Sequence, residues 1–544
     1  MIFKTNNMRK ALCLAVVLTF ISCSDEWNDH YEVSVADNGT LWQAISSRQE
    51  LSNFSRIVKA CGYDVVLNGG QTFTVFAPTD EVLSQAEADR LIADYQQQAA
   101  AGVRSNDNTV VRQFLQNHMA LYKYPVSSLT DRMITLMNNK YAHLTSSTLE
   151  GSLFLTSNTL LDNGLLFTLD RQVAYTPNVF ECLGHDAELD SVYQFLNSHS
   201  VYEFDETKSV AGEIIDGVTH YLDSVSVLRN DLLSTLGLIN SEDSTYWIIA
   251  PTNSEWNRLV KEYETYFNYP QNVTRRDSMI YTNSRVALIG GGFFSRTVNP
   301  DVAFRDSAVS TMAVTGEMRL LTGADRSYYV YQKPFDEGGV FYGTEDVLCS
   351  NGHVRKASEY SVSKFDSFVQ TIKVEAENVQ RQDTIINAVE PLTIREVPSG
   401  NDYYGQVSGN SFVEVVPSTP DANVQVSFRL PELLSGMPYN IYGVFVPATA
   451  YDPLSVEETH RAYRVRSMIR YPDLNGVETM RRFNRNINVN TEVVDTVQLI
   501  SNITIPTCSY GLSEPKVKLD LQSGTNGATL RLDCIIVKPV RNEE

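Results

Sequence analysis

Two kinds of hydrophobic periodicity divide the chain. Residues 40–65 place Leu41, Ile45, Leu51, Phe54, Ile57 and Val58 at helical spacing, with Gly62 as a stop. Gly69-Gly70 marks a turn, and Thr72-Phe73-Thr74-Val75-Phe76 reads as a strand. Pro78 cannot donate to a ladder and ends that strand, and Thr79 or Asp80 is placed to cap the helix that follows. The block recurs at Thr245-Tyr246-Trp247-Ile248-Ile249, leading into Ala250-Pro251-Thr252. The triplets at 77–79 and 250–252 lie 173 residues apart, a domain-scale period. From about residue 366 the period becomes two. Val424, Val426, Phe428 and Leu430 alternate with polar residues, as do Val517, Leu519 and Leu521, and then Leu530, Leu532 and Cys534. These predict half-buried antiparallel strands, and Cys534 is expected on the core face with Leu530 and Leu532.

Phe73-Thr74-Val75-Phe76-Ala77-Pro78-Thr79-Asp80 resembles the first signature of fasciclin-like domains. Val111 to His118, ending in Asn117-His118, resembles the second signature. Leu129 to Lys140 resembles the family's hairpin, and Asn163 to Asp170 its closing strand. The second repeat keeps Ala250, Pro251 and Thr252 but has no histidine matching His118 and no clear Asn-Gly closing strand. Ser350-Asn351-Gly352-His353-Val354 is the candidate remnant. The resemblance implies a small β-sheet wedge packed on helices and a role in adhesion or ligand binding without catalysis. Asn117 and His118 read as structural groups that bond neighbouring backbone and help fix the strand that follows. The order of strands from Ile372-Lys373-Val374-Glu375 to Leu530–Pro539 resembles galactose-binding-like jelly rolls, the fold of many carbohydrate-binding modules.

The 544 residues leave room for several cores, with 43% apolar, 20% charged and 10% aromatic residues. A formal net charge of −21 argues against nucleic acid as a partner. Arg464, Arg466, Arg470, Arg481, Arg482 and Arg485, with Arg461, form a locally basic stretch, read as a solvated strand pair or a docking patch.

Lys4, Arg9 and Lys10 precede the apolar stretch Ala11–Ser22, which is too short to span a bilayer and fits a signal peptide. Phe20-Ile21-Ser22-Cys23 resembles a bacterial lipobox, which implies lipidation at Cys23. Ser24-Asp25-Glu26 resembles the acidic export signal of Bacteroidota surface lipoproteins. The remaining cysteines, Cys61, Cys182, Cys349, Cys508 and Cys534, form neither a disulfide scaffold nor a CxxC zinc site.

No dinucleotide, phosphate-loop, His-Glu-x-x-His or nucleophile-elbow motif occurs. Tyr403, Tyr404, Tyr442 and Tyr451 lie beside expected loops and are candidates for stacking on a sugar. Glu375 and Glu377 sit where a jelly roll can hold a structural calcium; no other cofactor is expected.

The expected architecture is multidomain α+β: two fasciclin-like mixed α/β domains followed by an all-β, jelly-roll-like sandwich. A signal peptide covers 1–22, a tether 23–37, a fasciclin-like domain 38–184, a divergent one 186–360 and the sandwich 366–544. The resemblance implies a non-catalytic lipoprotein anchored in the outer membrane and facing outward. It would be an accessory of a SusC/SusD-type uptake system for glycan or peptide. The alternatives are a structural subunit bracing an outer-membrane transporter, and a polysaccharide-active enzyme, for which two carboxylates at a set separation would suffice.

Overall fold

The helical pattern of residues 40–65 does not fold as one helix. Arg48 is extended and Gly62 adopts a φ of 77°, which splits the run into α1 (Leu41–Ser47), α2 (Ser52–Ala60) and α3 (Tyr63–Asn68). The computed structural model describes residues 39–541 apart from 208, 216–217, 224–225, 296–306, 310–329, 457–461 and 514–515. The leader over 1–22, Cys23, the tether and Arg461 lie outside the described residues. Among the described residues no helix is long and apolar enough to cross a membrane.

In the first unit, β1 (Phe73–Pro78) runs parallel to β7 (Gly164–Leu169) and antiparallel to β2 (Met119–Leu121). The sheet continues through β6 (Ser152–Leu161), β5 (Thr148–Leu149), β4 (Tyr141–Thr145) and β3 (Asp131–Thr135). Every residue of β1 and β7 is buried, as expected of strands covered on both faces. Val75 and Ala77 pack against α1, α2, α3 and α4 (Gln85–Ala100); Phe76, Phe167 and Leu169 pack on the opposite side with Ile134 and Leu144.

The second unit repeats this plan. α5 (Val179–His185) and α6 (Asp190–Asn197) open it. The strands β8 (Ser200–Phe204), β9 (Val210–Ile215), β10 (Val218–Asp223) and β11 (Ser226–Asn230) follow, pairing β8 with β11 and β9 with β10. After α7 (Asp231–Leu236) comes β12 (Tyr246–Pro251), which leads into α8 (Asn253–Tyr266) and α9 (Arg276–Gly290). β12 is antiparallel to β13 (Phe293–Ser295). A further pair joins β14 (Ser307–Val309) to β15 (Val330–Gln332). β16 (Glu345–Cys349) then hairpins into β17 (Gly352–Ala357), which lies parallel to β12 just as β7 lies parallel to β1.

Asn163 and Asn351 make the equivalence of the units concrete. Asn163 Oδ1 accepts from Leu41 N at 2.8 Å, at the start of α1, and its Nδ2 donates to Leu67 O and Gly69 O, both at 2.8 Å. Asn351 Oδ1 accepts from Val179 N at 2.8 Å, at the start of α5, and its Nδ2 donates to Ile239 O and Ser241 O at 2.9 and 2.7 Å. The next residue must be glycine in both cases. A Cβ on Gly164 would lie 2.2 Å from Phe73 O, and one on Gly352 1.7 Å from Tyr246 O. The second repeat therefore has a full Asn-Gly closing strand, and the expectation that it lacks one is corrected.

Two further expectations change. Thr79 and Asp80 do not cap the next helix: Ser84 caps α4, while Asp80 Oδ1 accepts from Asn53 N at 2.9 Å in the first turn of α2. Asn253 does the same for Ser191 N of α6 at 2.8 Å. The division expected between 184 and 186 also moves. α5 packs into the second core through Val179, Phe180 and Leu183, so that unit begins at its N-cap, Asn178.

Lys140 joins the two units. Its buried ammonium donates to Glu181 Oε2 at 2.9 Å, Glu242 Oε1 at 2.6 Å and Ser350 Oγ at 3.1 Å, and Arg112 adds a contact to Glu181 Oε1 at 2.8 Å.

The C-terminal part is an all-β sandwich, as expected. Its strands are β18 (Ile372–Glu375), β19 (Gln382–Ile386), β20 (Thr393–Glu396), β21 (Ser411–Val415), β22 (Gln425–Leu430), β23 (Pro438–Phe445), β24 (Tyr463–Pro472), β25 (Glu478–Val489), β26 (Asp495–Thr504), β27 (Val517–Ser523) and β28 (Leu530–Pro539). One sheet has the order β20-β21-β28-β23-β26, with β18 also on β28; the other has the order β19-β22-β27-β24-β25. The sandwich shares one core with the second unit. Phe267 packs on Phe368 and Tyr510, Asn268 N donates to Ser435 Oγ at 2.8 Å, and Tyr269 OH donates to Tyr510 O at 2.9 Å. Within the basic stretch, Arg470 turns onto the buried Asp520 at 2.7 Å and Arg466 onto Asn486 at 2.5 Å.

Candidate functional site

The outer side of β18 and β28 gathers an unusual set of acids. Val374 and Ala376 face the core, so Lys373, Glu375 and Glu377 face away from it. On β28 a register shift opposite Val444 and Phe445 leaves Asp533 as an extra residue. Leu530 and Leu532 point into the core before it, and Ile535 and Val537 after it. Cys534 is thereby turned out of the core, opposite Glu375 in the ladder. It is buried but does not pack with Leu530 and Leu532 as the alternation predicted.

The loop 398–410 closes over this set. Ser408 Oγ donates to Glu375 Oε1 at 2.7 Å, Ser408 N to Asp533 Oδ2 at 3.1 Å and Ser411 Oγ to Glu377 Oε1 at 2.8 Å. Each acid keeps a second oxygen that is buried and has no hydrogen-bond partner: Glu375 Oε2, Glu377 Oε2 and Asp533 Oδ1. Asp533 is only 2% exposed. Burial pushes its carboxyl up to about 7, despite the amide of Ser408, and also raises that of Glu377. Ligand atoms of Glu375, Asp533 and Cys534 all lie within 4.8 Å of one another. Buried oxygens left without a hydrogen-bond partner, on carboxyls that burial makes costly to ionise, are the chemistry of a cation site. The oxygen donors fit calcium; the Cys534 thiol is the one donor in the set that suits zinc better.

The same loop carries two of the candidate tyrosines at its other end. Asn401 Nδ2 donates to Thr449 O at 2.7 Å, which ties the loop to the turn before Tyr451. Tyr404 and Tyr451 are 50% and 43% exposed. Arg395 lies over the Tyr451 ring at 4.5 Å and is held there by Glu414, 2.7 Å away, which Arg531 also contacts at 2.9 Å. Tyr403 turns inward instead. Its hydroxyl donates to Glu492 O at 2.7 Å, and its ring packs on a small core with Val397, Val407 and Phe412. Tyr442 sits mid-strand on β23, between Gln498 and Ile536, away from the loop. Of the four tyrosines the structure thus leaves Tyr404 and Tyr451 exposed, on two segments joined by the Asn401–Thr449 bond. Asp533, Ser408, Ser411 and Arg395 were not singled out from the sequence, because their convergence depends on the bulge and on the path of the loop.

In the first unit, His118 is fully buried. Its Nδ1–H donates to Phe114 O at 2.7 Å and its Nε2 accepts from Val173 N at 2.9 Å. Asn117 Nδ2 donates to Val173 O at 3.0 Å. Both are structural, but they fix a segment 55 residues away in sequence rather than the adjoining strand. A wide turn makes this possible: Gln116 N donates to Val111 O, five residues back, and swings Asn117 and His118 inward. Ala77, Pro78, Ala250 and Pro251 end buried strands. Thr79 N and Thr252 N donate to the ends of the closing strands, Leu169 O and Ala357 O, at 3.4 and 2.9 Å.

Residues 49–173 match the family model described as Fasciclin domain. The first unit is a fasciclin domain. The second is fasciclin-like on the strand order, the closing asparagine and the helix cap that it shares with the first. No curated protein matches the chain. Among solved structures, a FAS1 domain pair from the insect cell adhesion molecule fasciclin I is 11% identical, with 58% of this chain and 98% of that chain covered and a TM-score of 0.19. The CBM22-1 xylan-binding domain of a Paenibacillus barcinonensis protein is 15% identical, with 32% and 95% covered and a TM-score of 0.21. The GH26-CBM35 β-(1,4)-mannanase of Podospora anserina is 12% identical, with 32% of this chain and 28% of that one covered and a TM-score of 0.19. Scores of this size carry no weight for function, and the architecture rests on the strand orders and registers above.

Proposed function

We propose that this chain is a non-catalytic binding or adhesion protein whose sandwich presents a cation-braced loop to a carbohydrate. One observation carries the reading. The loop that carries Tyr404 is anchored through Ser408 on Glu375 and Asp533, with Ser411 just after it on Glu377, and each carboxylate has one buried oxygen without a hydrogen-bond partner. Glu375, Glu377 and Asp533 would hold a calcium ion, which adds to the single positive charge of Lys373, 3.3 Å from Glu375 Oε1, and fixes the loop. Tyr404 and Tyr451 would offer aromatic faces to sugar C–H groups, and Arg395 a donor to sugar oxygens. The fasciclin domain supports the adhesive part of the reading.

The leader and Cys23 support a lipid-anchored chain on the outer face of the outer membrane, as an accessory of a SusC/SusD-type uptake system. Two acyl chains or more would make that anchoring stable. Loss of lipid labelling in a Cys23→Ala chain, together with release from membranes, is the expected outcome.

The test of the binding reading is retention of the full chain on a glycan array, with calcium and after chelation. Tyr404→Ala and Tyr451→Ala should each weaken retention about tenfold, and Tyr442→Ala should leave it unchanged. A calcium-loaded chain that retains no glycan would sink the reading. Zinc restoring the chelated chain where calcium fails would reassign the cation and leave the loop in its role. The shared core of the second unit and the sandwich, with the Lys140 clamp, favours a rigid brace as the second reading. A stoichiometric transporter partner recovered from solubilised membranes, with no glycan retained, would select it.

A further inference from the structure

Cys182 and Cys349 lie 167 residues apart in sequence, yet their sulfurs are 2.7 Å apart. Both are buried, at 7% and 4% exposure. Cys182 is on α5 and Cys349 ends β16, so the pair sits where the first helix of the second unit meets the closing hairpin. The fasciclin domain shows what this position ordinarily holds. Asn163 and Asn351 bond the first residues of α1 and α5, which aligns Leu41 with Val179 and therefore Ala44 with Cys182. Cys349 opposes Gly352 in its hairpin just as Leu161 opposes Gly164. An apolar pair in one unit, Ala44 and Leu161, is thus a cysteine pair in the other, changed at both positions together.

We infer that Cys182 and Cys349 form a disulfide that staples α5 to the closing hairpin of the second unit. Their sulfurs need only a small side-chain adjustment to reach the bonded separation of about 2.0 Å. The chemistry requires an oxidant, and a disulfide of low molecular weight or of an oxidoreductase supplies it. The Cys182 thiolate attacks one sulfur of that disulfide, breaking its S–S bond and expelling a thiolate. Cys349 gives up its proton and attacks the mixed disulfide at Cys182, expelling the second thiolate. One S–S bond is made, the oxidant is reduced to two thiols, and two electrons pass to it. Cys182 is suited to attack first: the Cys349 thiol donates to its sulfur, which holds it below the usual thiol range and pushes Cys349 up. Cys61 lies in the first unit's core, Cys508 in the shared core, and Cys534 beside Glu375, so they serve as internal controls.

The full chain is equilibrated with oxidised glutathione, quenched, unfolded, alkylated and mapped by mass spectrometry. Alkylation at Cys182 and Cys349 is expected to fall together by about tenfold or more. A single linked peptide pair should appear, two hydrogens lighter than its reduced parts, with Cys61, Cys508 and Cys534 still labelled. Full alkylation of Cys182 and Cys349, or pairing of either with another cysteine, would overturn the assignment. A Cys182→Ala/Cys349→Leu chain, which reproduces the Ala44 and Leu161 pair, gives a second reading. Its melting temperature should ignore reductant, whereas the unaltered chain should melt higher when oxidised. Equal melting of the unaltered chain in both buffers would also count against the staple.

Discussion

Tyr360 puts its hydroxyl in the second unit where His118 puts its imidazole Nδ1 in the first. Met119 pairs with Val75 and Phe293 pairs with Ile248, so His118 corresponds to Gly292. The Tyr360 hydroxyl donates to Leu288 O at 3.0 Å, and His118 Nδ1 donates to Phe114 O at 2.7 Å; each carbonyl lies four residues before the matched position. A divergent repeat has thus kept a buried hydrogen bond by sending a different residue from a different segment to make it.

The substitution pattern at Gly292 follows from that geometry. A Cβ there would meet the Tyr360 hydroxyl at 2.8 Å and Ile249 O at 3.0 Å. Gly292→Ala should displace the tyrosine and cost about 1–3 kcal/mol, the range for leaving a buried acceptor unmade. Tyr360→Phe should cost about 1 kcal/mol. Urea denaturation of the two variants checks the order, which a larger loss for Tyr360→Phe would contradict.

His118 makes the fasciclin domain sensitive to acid. Burial pushes its imidazole down from 6.5 to about 4, outweighing the hydrogen bond to Phe114 O. The unfolded chain takes up a proton near pH 6.5 while the folded domain resists until about pH 4. Its contribution is therefore complete above pH 6.5 and is lost as pH falls toward 4, by about 3 kcal/mol. A His118→Asn chain should be less stable at pH 7, and the gap from the unaltered chain should shrink between pH 7 and pH 4.5. Denaturation at both values reads the difference, and an unchanged gap would refute it.

Lys140 is the clearest single point at which to separate the two units. Lys140→Met leaves Glu242 buried beside Asn178 without its cation, while Glu181 keeps Arg112. Breaking one side of a buried pair costs about 3–5 kcal/mol. The expected signs are faster hydrogen exchange at α5 and at the β3–β4 hairpin, and a wider spread of particle dimensions in solution scattering. The fold of each unit should be kept by circular dichroism.

The cation site predicts a ligand-dependent stability. Calcium at about a hundred times its dissociation constant should add about 2.7 kcal/mol to the sandwich. Asp533→Asn should abolish that gain while the chain still folds, because the amide removes the carboxyl whose ionisation burial makes costly. A calcium response in Asp533→Asn equal to that of the unaltered chain would place the ion elsewhere.

Much of the architecture was written in local pattern. The recurring Ala-Pro-Thr, the period-two strands after residue 366 and the structural character of Asn117 and His118 are all legible, because strand propensity and proline stops act over a few residues. What local pattern could not decide is what depends on register or on reach. Alternation assigns a strand residue to a face only while the ladder holds step. The one-residue bulge at Asp533 turned Cys534 out of the core and brought it to Glu375. Asp80, read as the cap of the helix after it, caps a helix 27 residues before it, since a carboxylate accepts from whichever amide the fold brings near. The bonds of Ser408 to Glu375 and Asp533 and the meeting of Cys182 with Cys349 belong to the same class. The types of element follow from the order of residues along the chain, whereas which buried polar groups meet is decided by packing, where every charge and donor must find a partner in space.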